Sequence, residues 1–138
     1  MIKTLLCCLL LSMHWPSDWF KLWIPSEPEP ETIKARITYY CPGPIWGKQV
    51  ADPDTNTAIK GVTVAAHPDF NFGTEIYIPK LDGVLGNGNF VVQDRGPAVT
   101  KKKASRGKAY VFDVFVNNRS EINKYMKYGD YMEVEIKE

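Results

Sequence analysis

Apolar and polar residues alternate between Ile33 and Tyr39, and this pattern predicts a β-strand with one buried face. Five further short apolar stretches, each bounded by Gly, Pro, Asn or Asp, predict additional strands. They lie at residues 62–66, 75–78, 90–93, 110–116 and 131–136. Short strands in this number, within about 105 residues, favour a small closed β-barrel.

Helical spacing is found in one segment near the C-terminus. Ile122 and Tyr125 recur on one helix face, Asn118 precedes them as an N-cap, and Glu121 stands at the third helical position. Gly129 is expected to end this helix. The predicted fold class is therefore mainly β, a six-stranded barrel with one short C-terminal helix.

The first 31 residues differ in character from the rest of the chain. Lys3 and the apolar run at 5–11 are typical of a secretory signal, and the run is too short to span a bilayer. The tryptophan-rich segment at 15–23 favours an alternative, association with a membrane interface. Residues 25–31 are acidic and proline-rich, which predicts an extended linker. We divide the chain into this N-terminal part, 1–31, and a folded domain, 32–138.

The overall composition narrows the class of partner. With 138 residues the chain has room for one compact core, and 17 Lys and Arg against 16 Asp and Glu leave a formal charge of +1. Such a balance produces no field that attracts nucleic acid, so no nucleic-acid partner is expected. The local exception is the run 101–103 with Arg106 and Lys108. A solvated loop is the favoured interpretation of this run, and contact with an anionic polymer is the alternative.

The cysteine and histidine content argues against a metal site. Cys7 and Cys8 are adjacent in the apolar N-terminus, Cys41 follows a predicted strand, and the chain has two histidines. Neither a disulfide framework nor a four-ligand zinc site follows from this spacing. We predict no metal and no cofactor, and we expect Cys41 to be a half-buried packing residue. No pattern in the chain specifies an oligomeric state.

Three ionisable side chains stand at or within apolar β-type stretches, where barrels expose residues for chemistry. His67 follows the stretch at 62–66, Asp94 follows the one at 90–93, and Asp113 interrupts the one at 110–116. A buried and unpaired charge is costly, so Asp113 needs a partner or a cleft. Asp94 precedes Arg95-Gly96, and a structural role in a turn is an equal alternative for it.

The phrases around these residues resemble a known family. They are Ala-Ala-His-Pro ending at Pro68, Phe-Gly-Thr ending at Thr74, Asp-Arg-Gly-Pro ending at Pro97, and Phe-Asp-Val-Phe ending at Phe115. Together they resemble the 3D domain, named for three aspartates, of membrane-bound lytic transglycosylase A and of small muralytic proteins. The first three phrases are equally similar to rare lipoprotein A. Both resemblances imply a double-psi β-barrel that acts on peptidoglycan glycan strands.

The resemblance also implies roles for single residues. Asp94 matches the second family aspartate, and Asp113 matches the third, which is taken as catalytic in the transglycosylase. His67 stands at the position of the first family aspartate, where a histidine agrees with the rare lipoprotein A pattern. Asp69 is an alternative source of the carboxylate that the first family aspartate would supply. The remaining expected substrate contacts are stacking by Tyr40 and Trp46 and polar contacts from Arg95 and Lys101.

The chemistry of glycan cleavage is compatible with this set. An acid must protonate the leaving oxygen, and a lytic transglycosylase uses the 6-hydroxyl of the sugar in place of water, so one carboxyl can serve as acid and then as base. We expect Asp113 in that role, with Asp94 positioning it or raising its pKa by like-charge proximity. His67 is expected to hydrogen-bond either carboxylate or a sugar hydroxyl.

Three functions are compatible with these residues and are stated as hypotheses. The first is an extracytoplasmic or phage-encoded lytic transglycosylase that gives 1,6-anhydro products without metal or cofactor. The second is a non-catalytic glycan-binding barrel with a degraded site, which the histidine at position 67 favours. The third is a secreted barrel that serves a partner protein.

Overall fold

A computed structural model describes residues 27–128 and 130–137 of the chain. The predicted signal-like run, the tryptophan-rich segment, Cys7 and Cys8 lie outside the described residues, as does Gly129. Within the described part, no helix has the length and apolar character needed to cross a membrane.

Six strands and two α-helices form the described part of the chain. The strands are β1 Glu31–Tyr40, β2 Thr63–Ala65, β3 Glu75–Asp82, β4 Asn87–Asp94, β5 Val111–Phe115 and β6 Tyr131–Lys137. Helix α1 is Pro97–Thr100, α2 is Arg119–Met126, and a 3₁₀ turn covers Lys103–Ser105. The strands close into a barrel in the order β1-β5-β2-β4-β3-β6. The predicted mainly β class, the six-stranded barrel and the short C-terminal helix are confirmed.

The barrel combines two directions of strand pairing. β1 pairs with β5 in parallel, and β2 pairs with β4 in parallel, whereas the other neighbouring pairs are antiparallel. Parallel neighbours cannot be joined by a tight hairpin and need a longer crossing connection. Only β3 and β4 are consecutive along the chain and also neighbours in the barrel. The other four connections, from β1 to β2, β2 to β3, β4 to β5 and β5 to β6, each cross one strand. Strand β2 lies between β4 and β5 in this order.

The strand alternation separates an inner core from an outer face. Alternate residues of each strand fill the barrel, among them Ile37, Val64, Ile76, Val92, Phe112, Val114 and Val134. A second small cluster of Ala65, Val99 and Val111 lies on the outer face, against Tyr40 and Ala104. Cys41 is half-buried against the inner core, as predicted. Asp113 lies between two inward residues of β5, so its carboxyl belongs to the outer face.

The two helices were predicted unequally well. Asn118 caps α2 as expected, because its side chain accepts a hydrogen bond from the backbone N–H of Glu121 at 3.1 Å. Helix α1 was not predicted, because four residues are too few to produce a helical period. Pro97 at its first turn favours its start, and Val99 anchors it to the outer cluster. The segment expected to be a basic loop therefore contains a packed helical turn.

Gly88 is expected to tolerate no side chain. Its φ is +75°, and a Cβ would lie 2.9 Å from the Tyr77 ring and 3.0 Å from the backbone oxygen of Ile78. Left-handed backbone and overpacking together predict that Gly88→Ala lowers the free energy of unfolding by about 2–4 kcal/mol. Urea denaturation measures this loss. The control is Gly43→Ala, since a Cβ there meets no atom within 4 Å; equal midpoints for the two variants would contradict the prediction.

Candidate functional site

Strand register brings the two candidate carboxylates to the same level of the barrel. Ala65 of β2 pairs with Asp94 of β4 on one side and with Asp113 of β5 on the other. On the far side of β5, Thr38 of β1 pairs with Asp113. Directly opposed residues of neighbouring strands share a face. Asp94, Asp113 and Thr38 therefore form one polar row across four strands.

A β-bulge in β4 brings Asp94 into this row. Val64 pairs with Val92, but the next residue, Ala65, pairs with Asp94, so Gln93 is the extra residue in β4. A bulge re-aims the side chains that follow it. Without the bulge, Gln93 and not Asp94 would stand opposite Ala65.

Asp113 is a half-buried carboxyl with one hydrogen-bond donor. Thr38 Oγ1 donates to its Oδ1 at 2.8 Å. Burial raises the pKa of Asp113 to about 6, the Thr38 hydrogen bond opposes that shift, and the nearby Asp94 adds to it. A carboxyl with this pKa exchanges its proton under mildly acidic conditions, which suits an acid that later acts as a base.

Asp94 is held by three donors. Tyr40 Oη donates to its Oδ2 at 2.8 Å, and the backbone N–H groups of Ala51 and Arg95 donate to its Oδ1 at 3.0 and 2.8 Å. Burial and the Asp94 carboxylate raise the pKa of Tyr40 far above its ordinary value, so this phenol remains a donor. The two oxygens of a carboxyl group offer about four acceptor sites, so these three donors use most of them. Asp94 is thus held in a fixed orientation beside Asp113.

A cleft of about 470 Å³ opens at Asp94. Tyr40, Cys41, Trp46, Ala51 and Arg95 line it together with Asp94. Its outer lip is a tight turn in which Gly47 N donates to Gly43 O at 3.1 Å, and this turn carries Trp46 with 73% of its surface exposed. Aromatic side chains beside a few polar groups are typical of ligand-binding clefts.

Arg95 also lines the cleft, but its guanidinium group donates hydrogen bonds to backbone carbonyl oxygens. Its Nη1 donates to the carbonyl oxygens of Ala66 and Asp94 at 3.2 and 3.1 Å, and its Nη2 donates to that of Phe70 at 2.6 Å. The guanidinium stacks 4.1 Å from the ring centroid of Phe72. Burial lowers the pKa of Arg95. The side chain expected to contact substrate therefore ties down the loop between β2 and β3.

His67 belongs to a neighbouring cluster. Its Nδ1 accepts from the backbone N–H of Asp69 at 3.2 Å and lies 3.2 Å from Asp69 Oδ1. Tyr110 Oη donates to Asp69 Oδ2 at 2.6 Å, and this bond is the main cause that lowers the pKa of Asp69. The expected hydrogen bond from His67 to Asp94 or Asp113 is replaced by this contact, because Asp69 lies only two residues away on the same turn.

Lys101, Thr38 and Ala51 differ in their relation to the site. Lys101 stands at the end of α1, exposed to solvent and outside the lining of the cleft. Sequence reasoning missed Thr38, although a polar residue in an alternating strand is a weak signal for it. It also missed Ala51, whose contribution is a backbone N–H that carries no sequence signal.

The fold and the arrangement of Asp94 and Asp113 are the structural observations that bear on function. No protein-family model matches the chain, and no curated protein matches its sequence. Across residues 27–128 and 130–137, the structure contains no group of three or more His, Cys, Asp or Glu side chains that could hold a metal ion.

Proposed function

We propose that this protein is a lytic transglycosylase that cleaves the glycosidic bond between N-acetylmuramic acid and N-acetylglucosamine in peptidoglycan. The observation that carries the proposal is the carboxyl of Asp113, whose pKa is raised to about 6 beside the oriented carboxylate of Asp94. The resemblance to the 3D domain and to rare lipoprotein A supports the same chemistry. Peptidoglycan glycan strands are the proposed partner, met outside the cytoplasm or by a phage-encoded enzyme.

In the proposed mechanism, Asp113 acts twice. Its protonated carboxyl gives a proton to the glycosidic oxygen as the bond from that oxygen to the anomeric carbon breaks. The 6-hydroxyl oxygen of the same sugar then bonds to the anomeric carbon, and its proton returns to the Asp113 carboxylate. Thr38 orients Asp113 through their 2.8 Å hydrogen bond. The fixed charge of Asp94 favours the positive charge that develops on the sugar.

Substrate binding in this proposal uses the cleft beside Asp94. Tyr40 and Trp46 are placed in its lining, where aromatic faces can stack on sugar rings. Arg95 contributes by holding the loop that precedes β3.

A non-catalytic glycan-binding barrel is the alternative. One observation favours it: His67 occupies the position of a family aspartate, and its imidazole bonds Asp69. A barrel of this kind would retain the aromatic cleft and bind glycan strands without cutting them.

Product analysis separates the two functions. The full-length chain is incubated with peptidoglycan sacculi, beside Asp113→Asn and the matched control Asp82→Asn, and soluble products are identified by mass spectrometry. Asp82 lies on β3, which is opposite β5 in the barrel order. We expect anhydro-muropeptides from the wild type and the control only. Reducing-end products would identify a hydrolase, and sacculus binding without products would support the glycan-binding barrel.

A further inference from the structure

Gln93, the extra residue of the bulge in β4, connects the barrel to one wall of the cleft. That wall is the loop at residues 49–55, here called the wall loop, whose first three residues line the cleft beside Asp94. The N–H of Ala51 in this loop donates to Asp94 Oδ1 at 3.0 Å. The next loop residue, Asp52, donates its N–H to the backbone oxygen of Gln93 at 2.9 Å. Two consecutive residues of β4 therefore bond two consecutive residues of the wall loop.

The side chain of Gln93 makes a second connection between the barrel and the wall loop. Its Oε1 accepts from Thr63 Oγ1 at 2.7 Å, and Thr63 is fully buried in β2. Its Nε2 donates to Thr55 Oγ1 at 3.3 Å, at the far end of the wall loop. Thr55 Oγ1 in turn donates to Oδ2 of the buried Asp52 at 3.1 Å. A continuous series of hydrogen bonds thus runs from β2 through Gln93 into the wall loop.

An amide side chain satisfies both ends of this connection. Thr55 uses its hydroxyl proton on the Asp52 carboxylate, so its oxygen can only accept from Gln93. Thr63 uses its hydroxyl proton on Gln93, and its oxygen accepts from the N–H of Ile59 at 2.8 Å. The side chain between the two hydroxyls must therefore accept at one end and donate at the other. Glutamine does both, whereas an ionised glutamate of the same shape has no proton to donate.

We propose that Gln93 is a positioning residue, which holds the wall loop against the barrel so that the Ala51 N–H fixes the orientation of Asp94. The bulge allows this arrangement, because Gln93 bonds β2 and the wall loop while Asp94, the next residue, joins the polar row. Hydrogen bonds that form a connected network reinforce one another. The backbone and the side chain of Gln93 bond the same loop at two points, so its side chain is expected to limit the motion of Ala51.

The kinetic consequence of this role rests on the proposed function. In that mechanism Asp94 acts on the charge that develops in the transition state, so an Asp94 that loses one donor should slow the chemical step more than it weakens binding. Tyr40 and Trp46, the proposed stacking side chains, lie outside the wall loop. The positioning role itself concerns the geometry of the free protein and holds whatever the cleft binds.

Hydrogen exchange of the Ala51 amide, followed by NMR on the full-length chain, tests the positioning role without any substrate. Gln93→Met keeps nearly the same volume but bonds neither threonine, and Gln93→Glu keeps the acceptor for Thr63 but not the donor for Thr55. We expect Ala51 exchange to become about tenfold faster in both variants, the factor that corresponds to one lost hydrogen bond.

The matched controls alter Asn89, another amide side chain of β4. Lys137 Nζ donates to Asn89 Oδ1 at 2.6 Å, so this side chain bonds β6 and not the wall loop. Asn89→Leu and Asn89→Asp repeat the two changes, and Asn89→Asp has the same formal net charge as Gln93→Glu, 1 − 1 = 0. Both controls are expected to keep the Ala51 exchange rate of the wild type.

Variants of Thr55 test the same connection from the side of the wall loop. Thr55→Ser retains the hydroxyl and is expected to keep wild-type Ala51 exchange, whereas Thr55→Val is expected to accelerate it as Gln93→Met does. The double variant of Thr55→Val and Gln93→Met should show less than the combined single effects, because both changes break one connection. If circular dichroism shows that the Gln93 variants are unfolded, the Thr55 pair decides, and unchanged Ala51 exchange in Thr55→Val would then overturn the proposal.

Three further outcomes of the exchange experiment would overturn the positioning role. Unchanged Ala51 exchange in a folded Gln93→Met would show that the backbone bond from Asp52 holds the loop alone. Equal acceleration in the Asn89 controls would show a general loosening of the barrel. A wild-type Ala51 amide that exchanges as fast as an unprotected chain would show that its bond to Asp94 does not persist in solution.

Digestion of sacculi measures the kinetic consequence separately. Gln93→Met is expected to lower kcat by up to about a hundredfold and to change the KM for sacculi much less. A raised KM with an unchanged kcat would limit the wall loop to substrate binding and would oppose its action through Asp94. A wild type that releases no products would reject the proposed function, and the exchange rates of Ala51 would still decide whether Gln93 positions the site.

Discussion

Replacement of Asp113 by Asn is expected to reduce the release of anhydro products from sacculi by about a hundred- to ten-thousandfold, the range typical of a lost general acid. Asn has nearly the same shape and still accepts the hydrogen bond from Thr38, but it carries no transferable proton. The measurement is the initial rate of product release at a mildly acidic pH. Asp82→Asn is the control, and a rate near that of the wild type for Asp113→Asn would remove Asp113 from the acid role.

The same variant is expected to be more stable than the wild type at neutral pH. The pKa of Asp113 is about 6 in the folded protein against an ordinary value of 3.8, so the folded state binds the proton more tightly than the unfolded state. The stabilisation from this proton is therefore complete below about pH 4 and is lost as the pH rises through about 6. At pH 7 the neutral Asn side chain avoids the cost of the buried charge, about 1–3 kcal/mol.

Two pH profiles test this linkage. Urea unfolding between about pH 4 and about pH 8 should give a falling stability curve for the wild type and a flatter one for Asp113→Asn. The cleavage rate of the wild type should fall as the pH rises through about 6, because the protonated acid disappears. A variant that is less stable than the wild type at pH 7 would contradict the linkage and indicate a structural role for the carboxylate.

Arg95→Met is expected to lower the free energy of unfolding by about 2–4 kcal/mol. Met retains an apolar stem against Phe72 but leaves the carbonyl oxygens of Ala66 and Phe70 without their charged donor. Hydrogen bonds from charged groups are the stronger class, and unmet carbonyls at partly buried positions add to the loss. The measurement is urea denaturation at pH 7.

The control for Arg95→Met is Lys101→Met, which removes a cation from an exposed position. We expect that change to shift the free energy of unfolding by less than about 0.5 kcal/mol. If Arg95 serves only substrate, its variant will keep wild-type stability and lose only sacculus binding. That outcome would oppose the structural role inferred from its three backbone contacts.

Strand positions were predictable because they depend on local patterns. Each of the six predicted strands overlaps an observed one, and the strict alternation in β1 correctly identified Ala35, Ile37 and Tyr39 as its buried face. Strand ends were less predictable. β3 continues to Asp82 and β2 is only three residues long, because hydrogen-bond partners from other strands determine where a strand ends.

The candidate site was predictable only in part. Asp94 and Asp113 were recognised from their positions in apolar stretches, and the structure brings them together across Ala65. His67 was recognised in the same way but bonds Asp69, since a partner two residues away is reached at little conformational cost. Arg95 was assigned to substrate from its place in a motif, whereas its partners are carbonyl groups that every sequence has.

By itself, the sequence determined the fold class and the capped helix α2, and it singled out two candidate carboxylates, because periodicity, capping and turn chemistry act between near neighbours. Only the tertiary structure decided the strand order, the bulge that aims Asp94, and the surroundings of each carboxyl. The hydrogen bonds from Thr38 to Asp113 and from Tyr40 to Asp94 join residues 75 and 54 positions apart. Burial and contacts of that range depend on how the whole barrel closes, so the raised pKa of Asp113 is a property of the fold and not of its local sequence.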